Sequence, residues 1–404
     1  MRILFVTPYV PSRIRVRPFH FIQALSTSHE ISLVSLMCDQ YEKGLAQEVA
    51  AYCTSTELVP LPKWQAYTNC LRALPSLTPL RVAYYRSPAF VERILWVIRK
   101  RKIEVVHGEL IKVIPALHHV LAQERVPVLY DSVDCISSYL EQQWRSSCNP
   151  LHKAFVFTEL QKMRRYEQRM LTTLDQVVIT SAHDRNCLIA LEKQAQQVQI
   201  VPNGVDLAYF SPSSEPRESD SLVFCAKMDY YPNYQAMLNF CREILPRIWQ
   251  RRPQVRLTIV GNNPPQSVYE LCADSRITVT GFVPDIRPYL RRAAVALAPL
   301  QVAAGMQNKI LEALAMGTPV VATPDSCRAL QVQDGIHLLI AEGSHAYAEA
   351  VLRLLEEPQL TRTLCHAGRG YVEQHHSWTS AASLLGELYQ KMVQAQQVQT
   401  LVTL

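Results

Sequence analysis

No hydrophobic run in this chain approaches the roughly 18 residues that a membrane-spanning helix needs. The opening MRILFVTPYV imitates a secretory leader, but its apolar stretch is short. SRIRVRP follows where a small-residue cleavage site would stand, so the segment reads as a first β-strand. Cysteine pairing is missing too. Eleven cysteines are scattered singly, with no CxxC and an odd total, which excludes a disulfide framework or a structural zinc site and predicts reduced thiols in a cytoplasm. There is no GxxxxGK[ST] loop, no GxGxxG after a strand, no HExxH and no GxSxG elbow. His118-His119 and His375-His376 are adjacent pairs whose side chains diverge, so both read as structural rather than as metal ligands.

What is present is an ordinary globular composition, 48% hydrophobic and 19% charged, in 404 residues. That length exceeds one core of typical size and points to two domains. Residues 1–200 hold 24 Lys and Arg against 17 Asp and Glu, a balance of +7; residues 201–404 hold 17 against 18, a balance of −1. A basic first half suits an anionic membrane surface or a pyrophosphate-bearing acceptor, although solubility alone accounts for an excess of this size.

Strand-like apolar runs alternate with helical patterns along the chain, which predicts parallel α/β architecture. In the first half the strands are expected at Ile3–Thr7, Ile31–Leu36, Val105–His107, Val128–Tyr130 and Gln176–Thr180. Helices are expected at Arg17–Ser26, Phe90–Lys102, Val113–Glu124, Phe155–Leu174 and His183–Ala190. Lys162, Arg164, Arg165 and Arg169 read as a solvated basic face. Residues 60–88 carry five prolines and read as a long irregular excursion, closing on RVAYYRSP, whose rings and cations suit a ligand contact but read more simply as a loop packing two Tyr rings. Apolar content collapses after VPNGVDLAYFSP. A second α/β set follows, with strands at Leu222–Cys225, Arg256–Val260, Thr278–Thr280, Ala294–Leu297, Val320–Ala322 and His337–Ile340. The expected domains are 1–202, 203–376 and a returning C-terminal helix in 377–404. Two Rossmann-like domains with parallel sheets would face each other across a cleft, with ligands at the carboxyl ends of the strands.

The stretch QVAAGMQNKILEALAMGTPVVAT, residues 301–323, has the most explicit local grammar. A small-residue loop leads into a short helix, Gly317 stops it, and Val320–Ala322 forms a buried strand. Lys309 and Glu312, three apart, share a helix face near an N-terminus that favours anions. An acceptor-only carboxylate beside an ammonium suits a ribose diol next to a phosphate; a surface ion pair on a capped helix accounts for the same residues. His107 and Glu109 follow the Val105 strand, where Glu109 can orient a sugar hydroxyl and His107 can bond or exchange a proton. Asp131 and Asp134 are similarly placed, with a turn or N-cap role as the plainer account of Asp131. Lys227 follows Cys225 at a position to neutralise a leaving diphosphate, and Gly281-Phe282-Val283 makes a tight turn with an exposed ring.

With VPNGVDLAYFSP, LTIVGNNP, GFVPDIRPYL and GMQNKILEALAMGTPVV in that order, the sequence resembles the family 4 glycosyltransferases of GT-B fold over nearly its whole length. MDYYPN (228–233), RPFHFIQAL (17–25) and YDSVD (130–134) look closest to the sugar transferases associated with bacterial exosortase and exopolysaccharide clusters. The resemblance implies sugar transfer from a UDP- or GDP-linked donor to an acceptor hydroxyl with retention, needing neither metal nor cofactor. By it, Glu312 binds the ribose, Phe282 and Val283 flank the base, and Gly305, Met306, Gln307 and Asn308 meet the donor sugar and β-phosphate. Lys227 and Lys309 balance diphosphate charge, and Glu109 lies near the donor sugar.

Three departures stand out. The acidic residue that relatives carry eight positions before the ribose Glu is Ala304 here. The glycine loop after the first strand is replaced by PSRIRVR, so that Arg13 supplies donor phosphate contacts and Arg15 and Arg17 face the acceptor side with Asp131 and Asp134. The second cation, six positions after Lys227, is Asn233. A nucleotide-sugar 2-epimerase of the same fold and a non-catalytic glycan- or nucleotide-binding scaffold are the alternatives. The expected partners are a nucleotide-sugar and a glycan, lipid-linked or small-molecule acceptor, with peripheral membrane contact through the basic half and no nucleic acid. The expected location is the cytoplasm, at the inner face of the membrane if that contact is made.

Overall fold

The computed structural model describes residues 1–404 apart from 14, 39–41, 148, 193–197, 214, 304 and 404, and leaves out the side chains of 146 and 399–403. The chain forms two compact units, Met1–Asn203 with Trp378–Leu404, and Gly204–Ser377. The first holds β1 (Arg2–Thr7), β2 (Glu30–Met37), β3 (Ser55–Pro60), β4 (Val105–Glu109), β5 (Val128–Val133), β6 (Gln176–Ile179) and β7 (Val198–Ile200). All pair in parallel in the order β3-β2-β1-β4-β5-β6-β7. The second holds β8 (Glu218–Cys225), β9 (Arg256–Val260), β10 (Ile277–Val279), β11 (Ala293–Ala298), β12 (Val320–Ala322) and β13 (Leu339–Ile340). Their order is β10-β9-β8-β11-β12-β13, again parallel.

The central strands are apolar throughout because helices cover both faces. Along β1, Leu4 and Val6 join one core with Phe90, Ile94 and Leu117. Ile3 and Phe5 alternate onto the other core, against Phe21, Leu385 and Tyr389. Leu385 and Tyr389 come from the helix Trp378–Thr403, which closes the first unit. Period-two burial on both faces recurs in the second unit, where Leu222 and Phe224 face one core and Val223 and Cys225 the other.

The proline-rich stretch corrects its sequence reading. It holds a helix at Lys63–Ala73 and a short one at Leu80–Ala83, and a third starts at Pro88. Pro62 and Pro79 sit at N-cap positions and Pro88 at the first turn, so these prolines start helices rather than break them. The basic face of the Pro150–Thr173 helix is also less open than expected. Lys162 donates to the Leu74 carbonyl at 3.2 Å and Arg164 to Glu141 at 2.7 Å. Ten of the eleven cysteines fall among the described residues, and all ten are free thiols.

Candidate functional site

In the second unit the helix Asn308–Ala315 follows the tip of β11. Its end is a Schellman motif: Gly317 N–H donates to the Leu314 carbonyl and Thr318 N–H to Ala313, both at 2.9 Å. Gly317 adopts φ +64°, the left-handed conformation this cap requires. Ile310, Leu311, Ala313 and Leu314 are buried, which turns Lys309 and Glu312 together to the other face.

Lys309 Nζ donates to Asn233 Oδ1 at 2.9 Å and to Gln307 Oε1 at 3.1 Å, and lies 5.4 Å from the centre of the Phe224 ring. Glu312 is half-buried beside it, next to Cys225 at the tip of β8. Burial pulls Lys309 down to about 7 and pushes Glu312 up to about 7, each opposed by the other's charge. The Lys309 nitrogen is bonded by two neutral oxygens, so when protonated its charge is free to meet an incoming anion, while the neighbouring Glu312, when ionised, is an acceptor for hydroxyls. Gly305, Met306, Gln307 and Asn308 precede and open this helix, all partly exposed. Ala304 lies outside the described residues.

The neighbouring strand tips are laced together. Ala226 N–H donates to Val260 at 3.0 Å, Met228 N–H to Asn262 at 3.1 Å and Gly261 N–H to Gly281 at 3.2 Å. Gly261 is obligatory, since a Cβ there would stand 1.7 Å from the Ala226 carbonyl oxygen. Lys227 projects from this lacing, mostly exposed and 3.5 Å from Asp229. Phe282, 65% exposed, leaves the turn at Gly281, while Val283 packs inward. Just beyond this turn Arg287 bonds Asp285 and lies 3.8 Å over the Tyr209 ring. A larger cavity of about 1010 Å³ lies at the opposite, amino end of β8, lined by Arg217 and Arg369. Those cations already donate to carbonyls, Arg217 to Gly317 and Arg369 to Phe210 and Ala315.

In the first unit the strand tips are mostly sealed. Arg17 donates to Asp131 Oδ2 at 2.7 Å and to Asn203 Oδ1 at 2.8 Å, with Arg17 and Asp131 buried. Asp131 Oδ1 also accepts from Val133 N–H at 3.2 Å, the turn role. His107 is fully buried, its Nδ1 sharing a 2.8 Å hydrogen bond with the Tyr389 hydroxyl and its ring 4.5 Å from Phe5. Burial lowers it to about 4, against the pull of Asp131. Three assignments are therefore corrected. Arg17 and Asp131 do not face an acceptor, because each neutralises the other inside the core. His107 cannot exchange a proton with a sugar, because the C-terminal helix covers it.

The other predicted residues of this unit differ in exposure. Glu109 is 2% exposed, and burial with Asp131's charge raises it well above the carboxylate range. Its Oε2 is buried without a hydrogen-bond partner. Beside it Lys112 donates to the Tyr85 hydroxyl at 3.2 Å and lies 5.6 Å from the Tyr9 ring centre. Arg15 sits 4.4 Å over Tyr9, donates to the Val10 carbonyl and pairs with Glu42. A cavity of about 600 Å³ opens along Tyr85 and Lys112. Arg13 is exposed, 3.5 Å from Glu48. Asp134 is half-buried and pushed up to about 7 by burial and Asp184. Among the described residues no three His, Cys, Asp or Glu side chains converge as a metal-binding group.

A family model described as Glycosyltransferase Family 4 matches residues 19–209, and one described as Glycosyl transferases group 1 matches 219–357. The chain belongs to the family 4 glycosyltransferases. Its fold is GT-B, two parallel-sheet Rossmann-like domains. Sucrose-phosphate synthase from Thermosynechococcus elongatus superposes with TM-score 0.74 at 18% identity, covering 98% of this chain and 100% of that one. Anabaena HepE in complex with UDP and glucose gives 0.69 at 16% identity, covering 97% and 100%. D-inositol 3-phosphate glycosyltransferase from Frankia alni is 27% identical over 216 residues, 48% of this chain and 53% of the relative. Phosphatidyl-myo-inositol mannosyltransferase from Mycobacterium tuberculosis is 28% identical over 206 residues, 47% and 53%. The match thus spans about half the length of these curated relatives.

Several contributors to this glycosyltransferase's strand tips escape sequence reasoning. Asn233, read as a lost cation, donates to the Lys227 carbonyl at 2.8 Å while accepting from Lys309. Its signal was present: an amide at the first turn of the Tyr231–Asn239 helix, with a lysine delivered from elsewhere. Lys112 and Tyr9 carry no sequence signal, and the contact of Tyr85 with Lys112 is set by folding, not spacing.

Proposed function

We propose that this chain transfers a sugar from a nucleotide-diphosphate sugar, UDP- or GDP-linked, to an acceptor hydroxyl with retention of configuration. The observation that carries the reading is the pairing of Lys309 and Glu312 on one face at the start of the Asn308–Ala315 helix, beside exposed Phe282. Glu312 would accept hydroxyl protons of the ribose, and Phe282 would stack on the base. Lys309, Lys227 and the positive end of the helix would stabilise charge developing on the β-phosphate as the sugar–oxygen bond breaks. The acceptor oxygen then bonds to the anomeric carbon, and its proton passes to the departing phosphate, so neither metal nor cofactor is required. HepE, solved with UDP and glucose, supports a UDP-sugar as the first donor to try.

On the acceptor side, Lys112, Arg15 and Tyr85 beside Glu109 suit an anionic group next to a hydroxyl. The two relatives named above carry phosphorylated inositols in their names, which supports a phosphorylated or lipid-linked acceptor. We place the activity in bacterial glycan, exopolysaccharide or glycoconjugate synthesis at the cytoplasmic face of a membrane.

The test is calorimetry with a panel of nucleotide-sugars, followed by mass detection of product with added acceptors. Acceptor-dependent product bearing the donor's anomeric configuration supports transfer. Free nucleotide diphosphate and an altered sugar without acceptor would establish the epimerase instead, and tight binding without turnover the scaffold.

A further inference from the structure

The Lys63–Ala73 helix is amphipathic the wrong way round for a core element. Ala66 and Ala73 face the unit, and Cys70 Sγ lies 3.8 Å from the Leu80 carbonyl. Trp64, Tyr67, Leu71 and Leu74, at offsets of three, seven and ten, fall within about 80° of one another on the outer face. They are 71%, 60%, 67% and 56% exposed, and Leu77 just beyond is 67% exposed. Single exposed apolar side chains are ordinary, but a contiguous stripe of this size is not. The stripe continues onto the adjoining Pro150–Thr173 helix, where Lys162 reaches the Leu74 carbonyl. Leu151 and Phe155, on the same side of that helix as Lys162, are 84% and 53% exposed.

Charge selects the occupant. Between Glu57 and Glu92 the chain has no acidic residue and four cations, Lys63, Arg72, Arg81 and Arg86, all exposed. A second copy of this chain docking by the same stripe would set these cations against themselves. Apolar and aromatic side chains ringed by cations instead match a bilayer interface carrying anionic headgroups. The stripe is also wired inward. Tyr67 meets Tyr84 edge-on at 6.1 Å, Tyr84 lies 5.0 Å from Tyr85, and Tyr85 bonds Lys112 at the cavity between the Pro88–Arg101 and Ile114–Gln123 helices.

We propose that the Lys63–Ala73 helix and Leu77 form an in-plane docking surface for an anionic bilayer, which sets the Tyr85–Lys112 cavity beside the lipid from which a membrane-borne acceptor is drawn. The second clause rests on the sugar-transfer reading; the docking itself does not. The experiment is co-sedimentation of the full chain with vesicles of phosphatidylcholine alone or with phosphatidylglycerol, without donor or acceptor. Binding is expected only with phosphatidylglycerol, falling steeply as salt rises. W64S/L71S should partition at least tenfold more weakly, and K63E/R72E should lose the preference for anionic vesicles. Trp64 emission should shift to the blue on binding, a change absent in W64F, and far-UV circular dichroism should be unchanged in every variant. Wild-type protein that stays in solution with anionic vesicles overturns the proposal, as does W64S/L71S that sediments like the wild type. So does a dimer that becomes monomeric in W64S/L71S, which assigns the stripe to a second copy. Vesicle binding with no sugar transfer leaves the docking surface standing and removes the transferase reading.

Discussion

The carboxyl ends of the two sheets carry similar residues and meet opposite fates. In the first unit, Arg17, His107 and Asp131 stand where an open α/β sheet places its ligand contacts, yet all three are buried, Arg17 paired with Asp131 and His107 bonded to Tyr389. In the second, Lys309, Glu312, Lys227 and Phe282 occupy the equivalent places and stay open or half-open. A strand tip makes a binding group only when nothing packs over it. A cation and a carboxylate that pair in the dry interior become structure; a cation bonded to neutral amide oxygens, with the carboxylate beside it half-buried, remains available for ligand.

That contrast can be broken most forcefully at the sealed end. Arg17→Ala would leave Asp131 charged and unpaired in the core, so we expect about 3–5 kcal/mol of destabilisation by denaturant unfolding. Retained stability would mean that the first unit's tip is not sealed. At the open end the order reverses. Lys309→Ala and Glu312→Ala should each lower kcat/KM roughly 10²–10³-fold while moving Tm little. Near-normal transfer in both variants would remove the site.

The pH profile sharpens the same point. Glu312 is pushed up to about 7 and accepts diol protons only when ionised, so kcat/KM should fall as pH drops below about 7. Lys309 is pulled down to about 7 and holds phosphate only when charged, so activity should also fall as pH rises through 7. A narrow bell results, and Lys309→Arg should move the basic limb upward while leaving the acidic limb in place. A flat profile between pH 6 and 8 would contradict it. Asn233→Ala removes an oxygen that favours the charged ammonium, so the basic limb should move to lower pH with roughly a tenfold loss of kcat/KM. The smallest effect belongs to Phe282→Ala, which should raise donor KM several-fold with kcat nearly unchanged, as expected when uniform binding is removed.

Legibility followed the range of the forces involved. The Gly317 stop was readable because a left-handed cap is set within a few residues. The buried strands were readable because helices on both faces demand unbroken apolar runs. Ser55–Pro60 was missed since STELVP is half-polar, as suits an edge strand. The Lys63–Ala73 helix is illegible in the sequence because its apolar residues face outward and its flanking prolines read as breaks instead of starts.

By itself the sequence determined two α/β units, the order of their strands along the chain, and a short helix presenting Lys309 and Glu312 on one face, since these follow from local periodicity and capping. Only the tertiary structure decided which charges are spent and which remain. His107 meets Tyr389 across 282 positions, and Lys309 meets Asn233 across 76. Whether a charge is buried against a partner or left in reach of solvent depends on what the distant chain lays over it, and burial sets the energy of that charge.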